Sequence, residues 1–159
     1  MLFRSQKREG EQRVDTCGVK ETVTIQHIRK GKVIATRHSD KITTVGLAEL
    51  AKLFIATGTA FTALALGTGT AAAAASDTAL GTEITAGGLA RAAASLSSSA
   101  ATATLEHTWT ATTAYAVTEE GEFNAMSGGV IAARQVFAAL NVVNTDEIRV
   151  THKNAFAEG

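Results

Sequence analysis

Hydrophobic and polar positions alternate along most of this chain, and the alternation predicts strands. In residues 19–28 (VKETVTIQHI), Val19, Val23, Ile25 and His27 share a face with Glu21. Lys30-Gly31 is a turn signal, and alternation resumes in 32–38, where Val33 and Ala35 oppose Ile34 and Thr36. The two runs read as a hairpin. Residues 44–58 change period: Leu47, Leu50, Ala51 and Phe54 fall on one helical stripe. Thr44 is the expected N-cap of that helix and Gly58 its C′ stop. From Phe61 the period returns to two, with Phe61, Ala63 and Ala65 opposite Leu64 and Leu66, until Gly67 and Gly69 end the strand. Ala71–Ala75 is too short to nucleate a helix and is read as a compact loop. Residues 79–84 are expected to be a short edge strand, 89–97 a further strand, and Ser97–Ala101 a polar turn.

The strongest alternation spans 103–118. Leu105, His107, Trp109, Ala111, Thr113, Tyr115 and Val117 form one face, and Thr104, Glu106, Thr108, Thr110 and Thr112 the other. That is two half-buried antiparallel strands with a bend near Ala111–Thr113. A turn-rich link (121–129), a strand over 130–140, a turn at 144–146 and a closing strand over 147–152 complete the chain. Eight or nine short strands with one helix near 45–57 predict a mainly β protein: an antiparallel β-sandwich, jelly-roll or immunoglobulin-like. Residues 1–18 read as a charged N-terminal arm and 19–159 as a single sandwich domain.

Composition adds less. The 159 residues carry 15 basic and 15 acidic side chains, so no bulk attraction to nucleic acid or an anionic membrane is expected. The charge is unevenly spread, however: residues 1–41 hold ten basic and five acidic side chains, and the rest reverses that ratio. Such a layout suits self-assembly or docking of a basic arm. The single cysteine, Cys17, allows no intrachain disulfide and is read as an inert thiol. No apolar run reaches membrane-spanning length, and the first residues lack a signal-peptide h-region, so synthesis and use without Sec export are expected.

No motif names a reaction. His27, His38, His107 and His152 are scattered without metal-site spacing, and His107, on the apolar face, is expected to be a core histidine. Glu119, Glu120 and Glu122 read as an exposed acidic turn around Gly121. The glycines of LGTG (66–69) match neither a P-loop nor a dinucleotide fingerprint, and Ser97–Ser99 lacks a nucleophile-elbow setting. Arg91 and Arg134 are isolated cations that should pair with carboxylates such as Glu83 or Glu120. Neither a catalytic residue nor a cofactor nor a metal ligand is assigned.

The segments LAELAKLFIATGTAFTALALGTGTAAAAASDTALGTEI (47–84) and VTEEGEFNAMSGGVIAARQVF (117–137), on either side of a Trp-containing Thr strand, resemble a small family of tailed-bacteriophage virion proteins. The similarity spans about residues 20–152. One departure is the all-alanine loop at 71–75, where that family often has proline. The resemblance implies a non-enzymatic virion structural protein, a decoration or cement-type component on the particle exterior, on the head rather than the tail. Its partners would be major capsid or tail subunits and further copies of itself, a trimer being one such form, with neither nucleic acid nor membrane involved. Arg4, Lys7, Arg8, Arg13, Gly67, Gly69, Asp77, Arg91 and Arg134 are the expected assembly contacts. Two other readings have distinguishing marks. A tail module binding a host receptor or carbohydrate would expose Trp109 or Tyr115 in a groove. A hydrolase would show a cleft with converging carboxylates of raised pKa.

Overall fold

The computed structural model describes residues 17–39 and 41–158. Arg4, Lys7, Arg8 and Arg13 lie outside the described residues, as does the Cys17 side chain. The described residues form a β-sandwich of nine strands and one helix. In chain order the elements are β1 (Cys17–Arg29), β2 (Lys32–Ser39), α1 (Thr44–Leu53), β3 (Ala63–Gly67), β4 (Ala92–Ala93), β5 (Ser95–Ser99), β6 (Thr102–Thr110), β7 (Tyr115–Phe123), β8 (Ile131–Val142) and β9 (Glu147–Glu158). Strand β1 therefore takes in residues 17 and 18, which the sequence reading left to the arm.

The strands form two antiparallel sheets, ordered β2-β1-β9-β6-β5 and β4-β3-β7-β8. The first hairpin turns at Lys30-Gly31, both with positive φ. The chain changes sheet between β2 and β3, through α1, and again between β4 and β5, between β6 and β7, and between β8 and β9. The expected strand over 89–97 is thus two short strands in different sheets. The expected edge strand at 79–84 is a loop with one bridge, Gly67 to Glu83. Two backbone hydrogen bonds, from Thr68 N–H to the Thr82 carbonyl and from Ile84 N–H to the Leu66 carbonyl, flank that bridge, and hydrogen bonds to a buried side chain, described below, hold the rest.

Alternation places the core. Val23, Ile25, Leu105, Trp109, Ile148 and Val150 from the larger sheet meet Leu64, Leu66, Val117, Leu140 and Val142 from the smaller one. Each such side chain contributes about 1.5–3 kcal/mol when fully removed from water. A second, smaller cluster (Ala63, Ala65, Leu80, Phe123, Ile131) lies on the other face of β3, β7 and β8, under the loop that links β3 to β4. The smaller sheet is therefore covered on both faces.

The helix corrects the sequence reading in three ways. Its N-cap is Thr43, whose side chain accepts from Gly46 N–H at 2.9 Å. Its end is capped at Ala56 (φ 55) rather than Gly58: Thr57 N–H and Ala56 N–H return to the carbonyls of Lys52 and Leu53, a Schellman pattern. The inward face is Gly46 and Glu49, with Leu47 and Phe54 of the apolar stripe pointing out. The reason is close approach. A Cβ on Gly46 would lie 2.5 Å from the Ala132 Cα and carbonyl oxygen of β8. Glu49 turns in because its carboxylate accepts from Thr59 N–H at 2.7 Å and holds Lys52 at 3.0 Å.

Candidate functional site

Strand β7 carries Glu119, Glu120 and Glu122, and all three are buried, correcting the expectation of an exposed acidic turn. Successive residues of a strand face opposite sides, so the three carboxylates divide between two sites.

Glu119 faces the outer cluster. It accepts from three backbone N–H groups, of Gly69 (2.9 Å), Gly81 (2.9 Å) and Thr82 (2.7 Å). It also takes two hydrogen bonds from Arg134 on β8, at 2.9 and 2.8 Å. Arg134 further donates to Asp77 at 2.9 Å and to the Ala71 carbonyl at 3.2 Å. Burial pushes the Glu119 pKa up, but the backbone donors and Arg134 outweigh it and hold the carboxyl below its ordinary value. The glycines are needed for this contact: a Cβ on Gly69 or Gly67 would collide with the Glu119 side chain. Nearby, Arg91 forms a paired contact with Glu83 (2.9 and 2.6 Å), caps the carbonyls of Ala125 and Gly128, and lies over the Phe123 ring at 3.6 Å.

These contacts relocate the sequence-predicted residues. Gly67, Gly69 and Arg134 are buried, and Asp77 and Arg91 are bonded within the chain, so all five take part in holding its own loop. Arg91 does pair with Glu83, whereas Arg134 pairs with Glu119 and Asp77, not Glu120. In the Gly67–Ser76 loop the exposed part is its tip, around Thr70–Ala72 and Ala74–Ser76.

Glu120 and Glu122 face the larger sheet, level with Leu66 and Leu64 of β3. There they meet Glu21 of β1 and His152 of β9, paired strands of the larger sheet. His152 is fully buried and uses both ring nitrogens. Nε2 lies 2.7 Å from Glu120 Oε2, and Nδ1 lies 2.6 Å from Glu21 Oε1 and 3.1 Å from Glu122 Oε2. Burial opposes charging the imidazole, but the surrounding carboxylates, Glu120 first, raise its pKa well above the ordinary value. Burial pushes Glu21 up to about 7, with His152 pulling the other way. It raises Glu120 as well. Neutral amides support the group. Asn154 Nδ2 donates to Glu122 at 3.2 Å, and Gln135 Nε2 reaches Glu21 at 3.5 Å while its Oε1 accepts from Ser39. Glu120 Oε1 is buried without a hydrogen-bond partner among the described residues.

A cavity of about 220 Å³ opens beside this cluster, beneath α1. Its walls are apolar, including Leu50, Leu53, Phe61, Leu105 and Phe156, and its polar lining is Glu21, Glu122 and Asn154. The mark set above for a hydrolase, converging carboxylates of raised pKa at a cleft, is thus partly met. Glycoside cleavage needs two carboxyl groups about 5–9.5 Å apart with room for the scissile bond between them. Here the His152 ring fills that space.

A third polar centre closes the far end of the larger sheet. Asp146, in the β8–β9 turn, accepts from Arg29 (2.7 Å), from His27 Nε2 (2.8 Å) and from Val143 N–H (3.0 Å). Arg29 is the main cause of an Asp146 pKa far below the usual carboxylate range. The other histidines differ from the sequence reading. His107 is half-buried, edge-on to Trp109 with ring centroids 4.5 Å apart. His27 and His152 are the buried ones.

No protein-family profile, curated protein or solved structure matches this chain.

Sequence reasoning missed the His152 cluster because its members lie far apart: 131 positions separate Glu21 from His152 and 32 separate Glu120 from it. One signal was present. Glu21 stands on the apolar face of β1, between Val19 and Val23, where an unpaired carboxylate is costly.

Proposed function

We propose that this chain is a non-enzymatic structural component of a tailed-bacteriophage particle, a decoration or cement-type subunit on the exterior, on the head rather than the tail. The resemblance of residues 47–84 and 117–137 to virion proteins motivates the reading. The observation that supports it in the structure is an apolar strip, on α1 and the turn after it, that no described residue covers. Leu47, Phe54 and Ile55 are 49%, 81% and 72% exposed. Leu47 and Phe54, with Val19, Leu50, Ala51 and Phe156, border a shallow apolar groove. A continuous apolar surface of this kind is a docking face, and a capsid subunit is the occupant that fits a cement role. The groove adjoins the start of β1 at Val19. Trp109 is 3% exposed with its indole N–H on the Ala90 carbonyl, so no tryptophan is offered for sugar stacking.

The test is incorporation. A tagged chain supplied during infection should co-sediment with purified particles, and Phe54→Ser combined with Ile55→Ser should cut its occupancy at least tenfold. Absence of the parent chain from particles, or equal occupancy of parent and double variant, overturns the reading.

A further inference from the structure

We propose that Glu21, Glu122 and His152 form a binding site for a divalent transition-metal cation, with Zn²⁺ the best fit, and that the bound ion fastens the two sheets together. The donor atoms are His152 Nδ1 and one oxygen from each carboxylate, all within 4.8 Å of one another and all buried. They come from β9, β1 and β7, so an ion there bridges both layers of the sandwich.

Four features carry the inference. The first is the donor set. One imidazole nitrogen and two carboxylate oxygens make a three-ligand site of the kind zinc takes when a fourth position is left open, whereas Ca²⁺ and Mg²⁺ require six or more mainly oxygen ligands. The second is the outer shell. A metal-bound histidine characteristically donates its other N–H to a carboxylate, and His152 Nε2 is 2.7 Å from Glu120 Oε2. Asn154 and Gln135 hold the two ligand carboxylates in the same manner.

The third feature is charge. Three carboxylates meet one imidazole, and among the described residues no lysine or arginine bonds to any of them. Glu120, wholly buried, keeps Oε1 without a partner among those residues. A divalent ion supplies the missing positive charge. The fourth feature is the cavity of about 220 Å³, which Glu21 and Glu122 both line. It provides the route of entry and room for a water in the fourth position.

The distances need a modest adjustment. Tetrahedral ligands at about 2.0–2.1 Å from zinc stand about 3.3 Å apart. Glu122 Oε2 is 3.1 Å from Nδ1, and Glu21 Oε1, at 2.6 Å, must withdraw by about 0.7 Å. The inference is independent of any particle location.

The experiment uses the full, tag-free chain, stripped with EDTA and titrated with Zn²⁺ at pH 7.5. One ion per chain should bind with a Kd in the micromolar range or tighter and raise Tm. Co²⁺ should give the visible absorption of a tetrahedral site. Glu122→Gln and Glu21→Gln should each weaken Zn²⁺ binding at least tenfold, and Glu120→Gln tenfold to a hundredfold. His27→Gln, at the other buried histidine, should leave affinity unchanged. If His152→Gln does not fold, the Glu122→Gln result decides. A folded parent chain that binds neither Zn²⁺ nor Co²⁺ at 100-fold molar excess overturns the proposal, as does a Glu122→Gln variant that binds like the parent.

Discussion

Glu119 and Glu120 are adjacent in sequence, both wholly buried, and face opposite sides of β7, one committed to Arg134 and the other to His152. The first pairing organises the loop that covers the smaller sheet. The second lies between the sheets and joins them. One peptide unit therefore separates a contact that shapes the covering loop from a centre able to take a ligand.

Arg134→Met should lower stability by about 3–5 kcal/mol, because it strands a buried carboxylate. Adding Glu119→Gln should recover part of that loss, since the stranded charge is then gone. Urea unfolding of the two single variants and the double variant measures the coupling. Strictly additive effects would show that the pair does not interact.

Gly46→Ala separates helix propensity from packing. In an isolated helix the change stabilises by about 1 kcal/mol. Here the new Cβ meets the Ala132 backbone at 2.5 Å. The expected outcome is a net destabilisation of about 1–3 kcal/mol, read as a lowered urea midpoint. An unchanged or raised midpoint would mean that α1 does not sit against β8 as described.

Acid should weaken the fold through Asp146. Its folded pKa is depressed, so the unfolded chain takes up the proton first. The stability it contributes is complete above the ordinary value of 3.8 and is lost as pH falls below it towards the folded pKa. Glu119 and Asp77, also depressed, act in the same direction. Between pH 6 and pH 3 the urea midpoint of the parent should fall more than that of Asp146→Asn. Equal falls in the two proteins would remove Asp146 from the account.

Phe54→Ser with Ile55→Ser should leave unfolding free energy within about 0.5 kcal/mol of the parent, because both side chains face water. The same double change should reduce any concentration-dependent self-association in sedimentation velocity. A large stability loss would mean that the strip is already covered within the chain.

Much of the architecture was legible in the sequence. Period-two runs marked β1, β2, β3, β6, the start of β7 and β9, because a sheet with one buried face imposes alternation directly on its residues, whereas β8 was read as strand rather than helix only from the glycines before it and the segment after it. The bend expected near Ala111–Thr113 is where the chain passes from one sheet to the other. The existence of α1 was legible from its period, but its orientation was not. Gly46 and Glu49 turn inward because of what Ala132 and Thr59 present to them, and both of those belong to distant segments.

By itself, then, the sequence determined a mainly β, two-layer protein with one helix, because alternation and turn signals act over a few residues. Tertiary structure alone decided that Glu119, Glu120 and Glu122 are interior, that Arg134 belongs to Glu119, and that Glu21 and His152 meet. A residue's polarity is written at its own position. The partners that make its burial tolerable come from strand register and sheet stacking, across as many as 131 positions of chain.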